Sequence, residues 1–147
     1  MSTKNLKVKY EPWLSAETMH NNSRKWLSEL KFTKDEELFF ADLVKSYTLQ
    51  LIDSKHFTES KKIIDKLSDL QKETETLIKT IKHHEKELKV MVDGINEIEK
   101  ENAYKDEHTK LSTVVNNFLE KYKTLKIQLF SLIKDILKEG KQKRLLQ

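Results

Sequence analysis

Apolar residues recur along most of this chain at alternating steps of four and three residues, which places them on one face of an α-helix. Nine of the twelve positions in the longest series are apolar. The series consists of Ile63, Leu67, Leu70, Thr74, Leu77, Ile81, His84, Leu88, Met91, Ile95, Ile98 and Asn102. Flanking apolar residues widen this face, which indicates more than one neighbouring helix. The pattern therefore predicts a long helix over 58–102.

A second series with the same spacing predicts another long helix over 106–139. Its members are Leu111, Val115, Phe118, Tyr122, Leu125, Leu129, Leu132 and Ile136. The first register, if extended, would place Lys105, Thr109 and Ser112 in the core, so the phase changes near residue 104. A turn between Asn102 and Asp106 explains this change and lets the two apolar faces bury each other. We predict a long antiparallel coiled-coil hairpin, and an unbroken helical rod is the alternative.

Two shorter helices are predicted before this hairpin, over 14–31 and 34–53. Ser15 is a candidate cap for the first, and Thr33 and Glu36 have the spacing of a capping box that would begin the second. Residues 1–12 are expected to form an arm that ends at Pro12, and 140–147 a basic tail after Gly140. Together these elements predict a single all-α domain in which two shorter helices pack on the hairpin as a partial three- or four-helix bundle.

The composition supports helices joined by short turns. The chain has 2 Gly and 1 Pro, and 35% of its residues are charged, with both signs mixed. With no cysteine, disulfides, thiolate catalysis and cysteine zinc sites are excluded. The charged start Met1–Lys9 does not resemble a secretory signal, and no apolar run approaches the roughly 20 residues of a membrane span. We expect a cytoplasmic protein without a transmembrane segment.

Residues that could carry chemistry are few. Glu17 and His20 have the spacing used by di-iron bundles, but the only loose second copy is Asp53 with His56. There is no glycine-rich phosphate loop and no nucleophile motif. We therefore predict no catalytic residue, metal or cofactor, and a protein that is not an enzyme.

The adjacent residues His83 and His84 are the other titratable feature. They point about 100° apart on a helix, so they are poorly placed to share one metal ion. His84 lies on the apolar face, where a histidine is expected to set register or to pair with a polar group across the helix interface. A pH-sensitive contact is a further option.

Two binding hypotheses follow. The shorter helices can cover only part of the hairpin, which predicts an apolar surface that binds a second copy of the chain or another helix. That surface consists of Val90, Met91, Val92, Val114, Phe118 and Leu119. The leading hypothesis is thus a non-catalytic helical interaction or scaffolding protein.

The alternative is a module that binds nucleic acid or an anionic surface through its C-terminal third. Residues 105–147 contain ten basic and five acidic residues. The basic tail contributes Lys138, Lys141, Lys143 and Arg144. Arg24 and Arg144 are the only arginines, and this weighs against nucleic acid, because bidentate arginine is the favoured reader of bases and phosphates.

Overall fold

The computed structural model describes residues 14–52, 55–94 and 98–146, except for the side chains of Lys143 and Leu146. It contains four helices, α1 (Ala16–Ser46), α2 (Thr48–Ile52), α3 (Phe57–Asp93) and α4 (Ile98–Leu146). These described ranges contain no strand, so the predicted all-α fold is confirmed. None of their helices is both long and apolar enough to cross a membrane. The arm predicted over 1–12 lies outside the described residues.

The chain divides into two compact units, and each is described separately. Unit 1 comprises the described parts of Met1–Lys31 and Thr76–Asn117, and unit 2 those of Phe32–Glu75 and Phe118–Gln147. Each unit contains one segment of α1, one of α3 and one of α4, and the side chains between these segments form its core. That the whole chain is a single domain stays a prediction.

The long helices α3 and α4 form the predicted antiparallel hairpin. In unit 2, Lys121 Nζ lies 3.0 Å from Glu73 Oε1, and His56 Nε2 lies 3.4 Å from Glu139 Oε1. Lys121 therefore contacts the middle of α3, and the later residue Glu139 contacts His56 just before α3 begins. The finer description of this hairpin as a coiled coil stays a prediction.

The chain reverses earlier than the sequence pattern predicted. Helix α3 ends at Asp93 and α4 begins at Ile98, so Asn102 and Asp106, the predicted limits of the turn, both lie within α4. Gly94 follows the last residue of α3, and its amide donates to the carbonyl of Met91 over 3.3 Å. The predicted boundaries of the long helices, 58–102 and 106–139, therefore need correction.

The reason for the earlier turn is that the core series of α4 extends back beyond Leu111. Tyr104 and His108 are buried and continue the alternating steps of four and three towards the N-terminus. Ile98 and Asn102, which the first series placed in the core, are exposed. The change of phase therefore lies before Tyr104, where the chain turns.

The predicted break between the two N-terminal helices is absent. Helix α1 continues from Ala16 to Ser46, and the second N-terminal helix is the short α2 after Tyr47. Thr33 is 3% exposed inside α1 and does not begin a helix, whereas the Ser15 cap is present, with its Oγ accepting from the amide of Thr18 at 3.0 Å. The buried positions of α1 follow the steps of four and three: Met19, Ser23, Trp26, Leu30, Thr33, Glu37, Phe40 and Val44.

The predicted basic tail is helical as far as Leu146, since α4 continues through Gly140 to that residue. Glycine in a helix costs only about 1 kcal/mol relative to alanine, and the residues around it favour helix. A Cβ added at Gly140 would meet no atom within 4 Å.

The two glycines offer a paired test of the corrected boundaries. We expect Gly140→Ala to raise the free energy of unfolding by a few tenths to about 1 kcal/mol, since alanine is the better helix former. Gly94→Ala should be less favourable than Gly140→Ala, because its Cβ would lie 3.3 Å from the carbonyl oxygen of Val90. Urea unfolding of both variants measures this difference. An equal gain in both would contradict a helix end at Gly94.

Candidate functional site

The core of unit 1 contains a cluster of three stacked polar rings. His84 of α3 and His108 of α4 are 4% and 2% exposed, and His84 Nε2 lies 2.9 Å from His108 Nδ1. The Tyr104 hydroxyl donates to the carbonyl oxygen of His84 over 2.8 Å, and its ring stacks on the His84 ring at 4.1 Å with 3° between their planes. The prediction that His84 pairs with a polar group across the hairpin is confirmed.

Helix α1 closes this cluster from the third side. Asn22 Nδ2 lies 3.1 Å from His108 Nε2, and the Trp26 ring packs 4.7 Å from the His108 ring. Because the Asn22 amide donates to Nε2, a neutral His108 carries its proton on Nδ1 and donates it to His84 Nε2. This assignment satisfies both contacts with two neutral imidazoles.

Burial keeps both histidines neutral near pH 7. Desolvation lowers the pKa of His84, although Glu107 and Glu85 oppose this. Desolvation also lowers the pKa of His108, to about 4, and the neighbouring His84 adds to the shift. The cluster is therefore a hydrogen-bonded core layer at neutral pH and holds no ion pair between its rings.

The side chains with di-iron spacing are not brought together as a ligand set. His20 Nδ1 contacts Glu85 Oε2 at 2.6 Å and His56 lies near Glu139, while Glu17 is exposed. Asp53 lies outside the described residues. Within the described ranges, no group of three or more histidine, aspartate or glutamate side chains is placed to hold a metal ion.

A groove of about 930 Å³ lies beside the ring cluster in unit 1, between the end of α3 and the beginning of α4. Its apolar lining consists of Ala16, Val90, Met91, Val92, Ala103 and Leu111. Glu87, Glu101 and Glu107 also line it, against the single lysine Lys100, so the lining is acidic. Below, we call this feature the unit 1 groove.

The groove accounts for part of the predicted partner surface. Val90 and Val92 are 69% and 58% exposed, and Met91 is half-buried. Val114 is exposed in unit 1 but does not line the groove. Phe118 is 0% exposed in the core of unit 2, so its ring cannot meet a partner, and Leu119, also in unit 2, is half-buried.

The predicted basic tail residues lie on the last turns of α4. Lys138, Lys141 and Arg144 are exposed, and the side chain of Lys143 lies outside the described part of the structure. The tail is thus the end of a long helix whose outward face continues from earlier residues.

Unit 2 contains a buried carboxyl group that sequence reasoning missed. Glu37 of α1 is 1% exposed, and its Oε2 lies 3.0 Å from Thr74 Oγ1, which also lies 2.8 Å from the carbonyl oxygen of Leu70. Thr74 has one hydroxyl hydrogen, so the Glu37 carboxyl and the Leu70 carbonyl share a single donor. Desolvation raises the pKa of Glu37 to about 7, against the opposing Thr74 contact.

The neighbouring Glu36 is paired. It accepts from the Tyr122 hydroxyl over 2.8 Å and from Lys126 Nζ over 3.1 Å. The two adjacent glutamates of α1 therefore differ in environment, because one faces the core and the other faces two donors on α4.

Comparison with known proteins found no matching family model, no matching curated protein and no matching solved structure.

The buried carboxyl predicts a pH-dependent stability. The pKa of Glu37 rises from its ordinary 4.5 to about 7, so the folded chain binds the proton more tightly than the unfolded chain. Its contribution to stability is present below pH 4.5 and is lost as the pH rises towards 7. We expect Glu37→Gln to match the original chain at pH 4 and to exceed it by about 3 kcal/mol at pH 8.

Urea unfolding across this pH range measures the difference. Exposed Glu120→Gln is the matched control and should leave the profile unchanged. If the Glu37→Gln chain is less stable than the original chain at pH 8, the fold stabilises the charged carboxylate of Glu37, and the prediction is wrong.

The pH dependence of stability that the buried histidines produce has the opposite sign to that of Glu37. The pKa of His108 falls from 6.5 to about 4, so its contribution to stability is present above pH 6.5 and is lost as the pH falls towards 4. In a chain that carries Glu37→Gln, we expect the free energy of unfolding in urea to fall by about 3 kcal/mol between pH 6.5 and pH 4. Adding His108→Gln should remove most of that slope, and adding His83→Gln, at an exposed site, should not. Equal slopes in the two variants would contradict the assignment.

Proposed function

We propose that this chain is a non-catalytic helical interaction protein and that the unit 1 groove binds an amphipathic helix of a partner. The observation that carries the proposal is a concave surface that combines exposed valines with an acidic lining. Grooves of this kind accept the apolar face of a helix through side chains spaced three, four and seven residues apart.

The groove leaves large apolar side chains uncovered. Val90 and Val92 present most of their side chains to solvent, although burial of such groups is favourable. A docked helix would cover them without any change in the ring cluster below.

The charge of the lining narrows the chemistry of the partner. Glu87 and Glu101 already have partners one helical turn away, the His83 imidazole at 3.2 Å and Lys105 Nζ at 3.2 Å. Pairs of this kind on a helix surface are weak and can exchange with a partner's cations at little cost. We therefore expect a helix with an apolar face flanked by lysine or arginine, supplied by another protein or by a second copy.

We also propose that the protein has no catalytic activity and that it is cytoplasmic. His84 and His108 are buried, neutral and bonded to one another, which supports a structural role over proton transfer. Coiled-coil self-association through the hairpin remains one form that the interaction could take.

A labelled synthetic helix tests the groove. The probe carries leucine at positions i, i+4 and i+7 and lysine on both flanks, and its twin carries glutamate in place of lysine. We expect fluorescence anisotropy to show that the lysine probe binds more tightly than its twin. Val90→Lys or Glu101→Lys should weaken binding about tenfold, equivalent to roughly 1.4 kcal/mol.

Leu49→Lys provides the control, because Leu49 is 76% exposed on α2 in unit 2. Sedimentation equilibrium of the chain alone then identifies the source of the natural helix. Dimers that dissociate in Val90→Lys indicate a second copy, and monomers indicate another protein. Equal affinity of both probes, or no effect of Val90→Lys, would count against the groove.

A further inference from the structure

The second half of α4 presents an outward face that is both apolar and basic. The positions opposite the core series between residues 123 and 145 are all exposed. They are Lys123, Thr124, Ile127, Phe130, Ser131, Lys134, Leu137, Lys138, Lys141, Arg144 and Leu145. This set, which we call the α4 stripe, contains four large apolar side chains and five cations, and the exposed acid Asp135 lies at its edge. It extends about 33 Å along the helix at 1.5 Å per residue.

The same outward face earlier in α4 has a different composition. Between residues 99 and 120 it consists of Glu99, Asn102, Ala103, Asp106, Thr109, Lys110, Thr113, Asn116, Asn117 and Glu120. These positions hold three acids and one lysine, and the large apolar side chains exposed in this half of the helix are Ile98 and Val114. The contrast between the two halves of α4 is therefore chiefly one of charge. If the exposed side chains only kept the helix solvated, the same composition would suit its whole length. The change in composition therefore indicates a function for the second half of α4.

The first part of α3 in unit 2 gives a second comparison. Its outward positions between residues 61 and 75 are Lys61, Lys62, Asp65, Ser68, Asp69, Lys72 and Glu75. They balance three cations against three acids and include no large apolar side chain. The combination found in the α4 stripe is therefore absent from this stretch of α3, whereas α1 in unit 2 also exposes the large apolar side chains Phe32, Leu38 and Phe39.

The apolar members of the stripe are well exposed. Ile127, Phe130, Leu137 and Leu145 are 62%, 54%, 49% and 76% exposed. Phe130 packs edge-on against buried Phe40 at 5.4 Å, and Phe40 also contacts Phe39, which is 58% exposed. An aromatic edge on α1 thus extends the apolar surface beside the stripe.

The acids nearest the stripe leave it with a positive charge. Glu139 lies 3.4 Å from His56 and is half-buried, and Glu36 accepts from Lys126 at the boundary with α1. Asp135 is exposed at the edge of the stripe and is a single acid beside five cations.

We propose that the α4 stripe binds the surface of an anionic lipid membrane, with the helix lying in the plane of the interface. Helices that bind in this way have cations on a polar face and large apolar residues that enter the boundary between headgroups and acyl chains. Nucleic acid would account for the cations but would give no role to the exposed Ile127, Phe130 and Leu137. Only one stripe position is arginine, the residue that makes bidentate contacts with bases and phosphates. This also favours an anionic membrane surface over nucleic acid as the ligand.

Co-sedimentation with vesicles tests the proposal on the full chain. One set of vesicles contains phosphatidylcholine alone, and the other contains phosphatidylcholine with phosphatidylserine. We expect binding only to the second set, with affinity that falls as salt is raised. Lys134→Gln and Lys141→Gln should each weaken binding about fivefold, the effect of losing one cation near such a surface.

The apolar variants separate a membrane from other anions. Ile127→Ser should weaken vesicle binding about tenfold or more, since an isoleucine buries several methylene groups. Phe130→Ser should act in the same way, but it also removes the contact with Phe40, so Ile127→Ser keeps the test clear of folding effects. Lys61→Gln and Leu49→Ser are the matched controls at exposed sites outside the stripe and should bind normally.

Three results would overturn the proposal: no binding to phosphatidylserine vesicles, binding that Ile127→Ser leaves unchanged, or tighter binding to a duplex DNA probe than to the vesicles. The groove variant Val90→Lys should bind vesicles normally. Failure of the groove and failure of the stripe are therefore distinguishable.

Discussion

The requirement that buried polar groups be hydrogen-bonded determines how the three long helices pair. In unit 1, His108 needs both Asn22 on α1 and His84 on α3, and a shift of one core position would separate these partners. An unsatisfied buried donor or acceptor costs about 1–3 kcal/mol, whereas leucine and isoleucine layers can slide over one another at less cost. The polar layers therefore specify the register that the apolar layers stabilise.

The same requirement explains which parts of the fold could be predicted from the sequence. Helix α3 and residues 111–139 of α4 carry nearly unbroken apolar series, and these stretches were predicted as helices, although the first was extended too far and the second ended too early. The core of α1 is interrupted by Ser23, Thr33 and Glu37, so its period was missed and Thr33 was interpreted as a cap. Tyr104 and His108 were missed as core positions for a similar reason, and the turn was placed too late. Glu37 and His108 are buried beside polar partners in another helix, which a count of apolar residues does not reveal.

The surfaces were predicted less completely than the core. The valines of the unit 1 groove were identified, but Phe118 was assigned to the surface although it lies in a core. The stripe on α4 was recognised only as a basic tail, because its apolar members alternate with lysines and because Gly140 was taken to end the helix.

Charge is also graded along α4, with acids concentrated towards its N-terminus and cations towards its C-terminus, which suits the helix dipole. One helix thus supplies an acidic groove lining in unit 1 and a basic outward face in unit 2.

The division into units has a consequence for the synthesis of the chain. Each unit is assembled from stretches that are far apart in sequence, since α1, α3 and α4 each contribute to both. Neither unit can be complete on the ribosome until its portion of α4 has emerged, and the portion that belongs to unit 1 emerges first. Translation therefore completes the histidine core before the core that contains Glu37, although Glu37 itself was translated earlier than either histidine. Until then the apolar face of α3 lacks one of its two neighbours, which makes this interval the stage most exposed to aggregation.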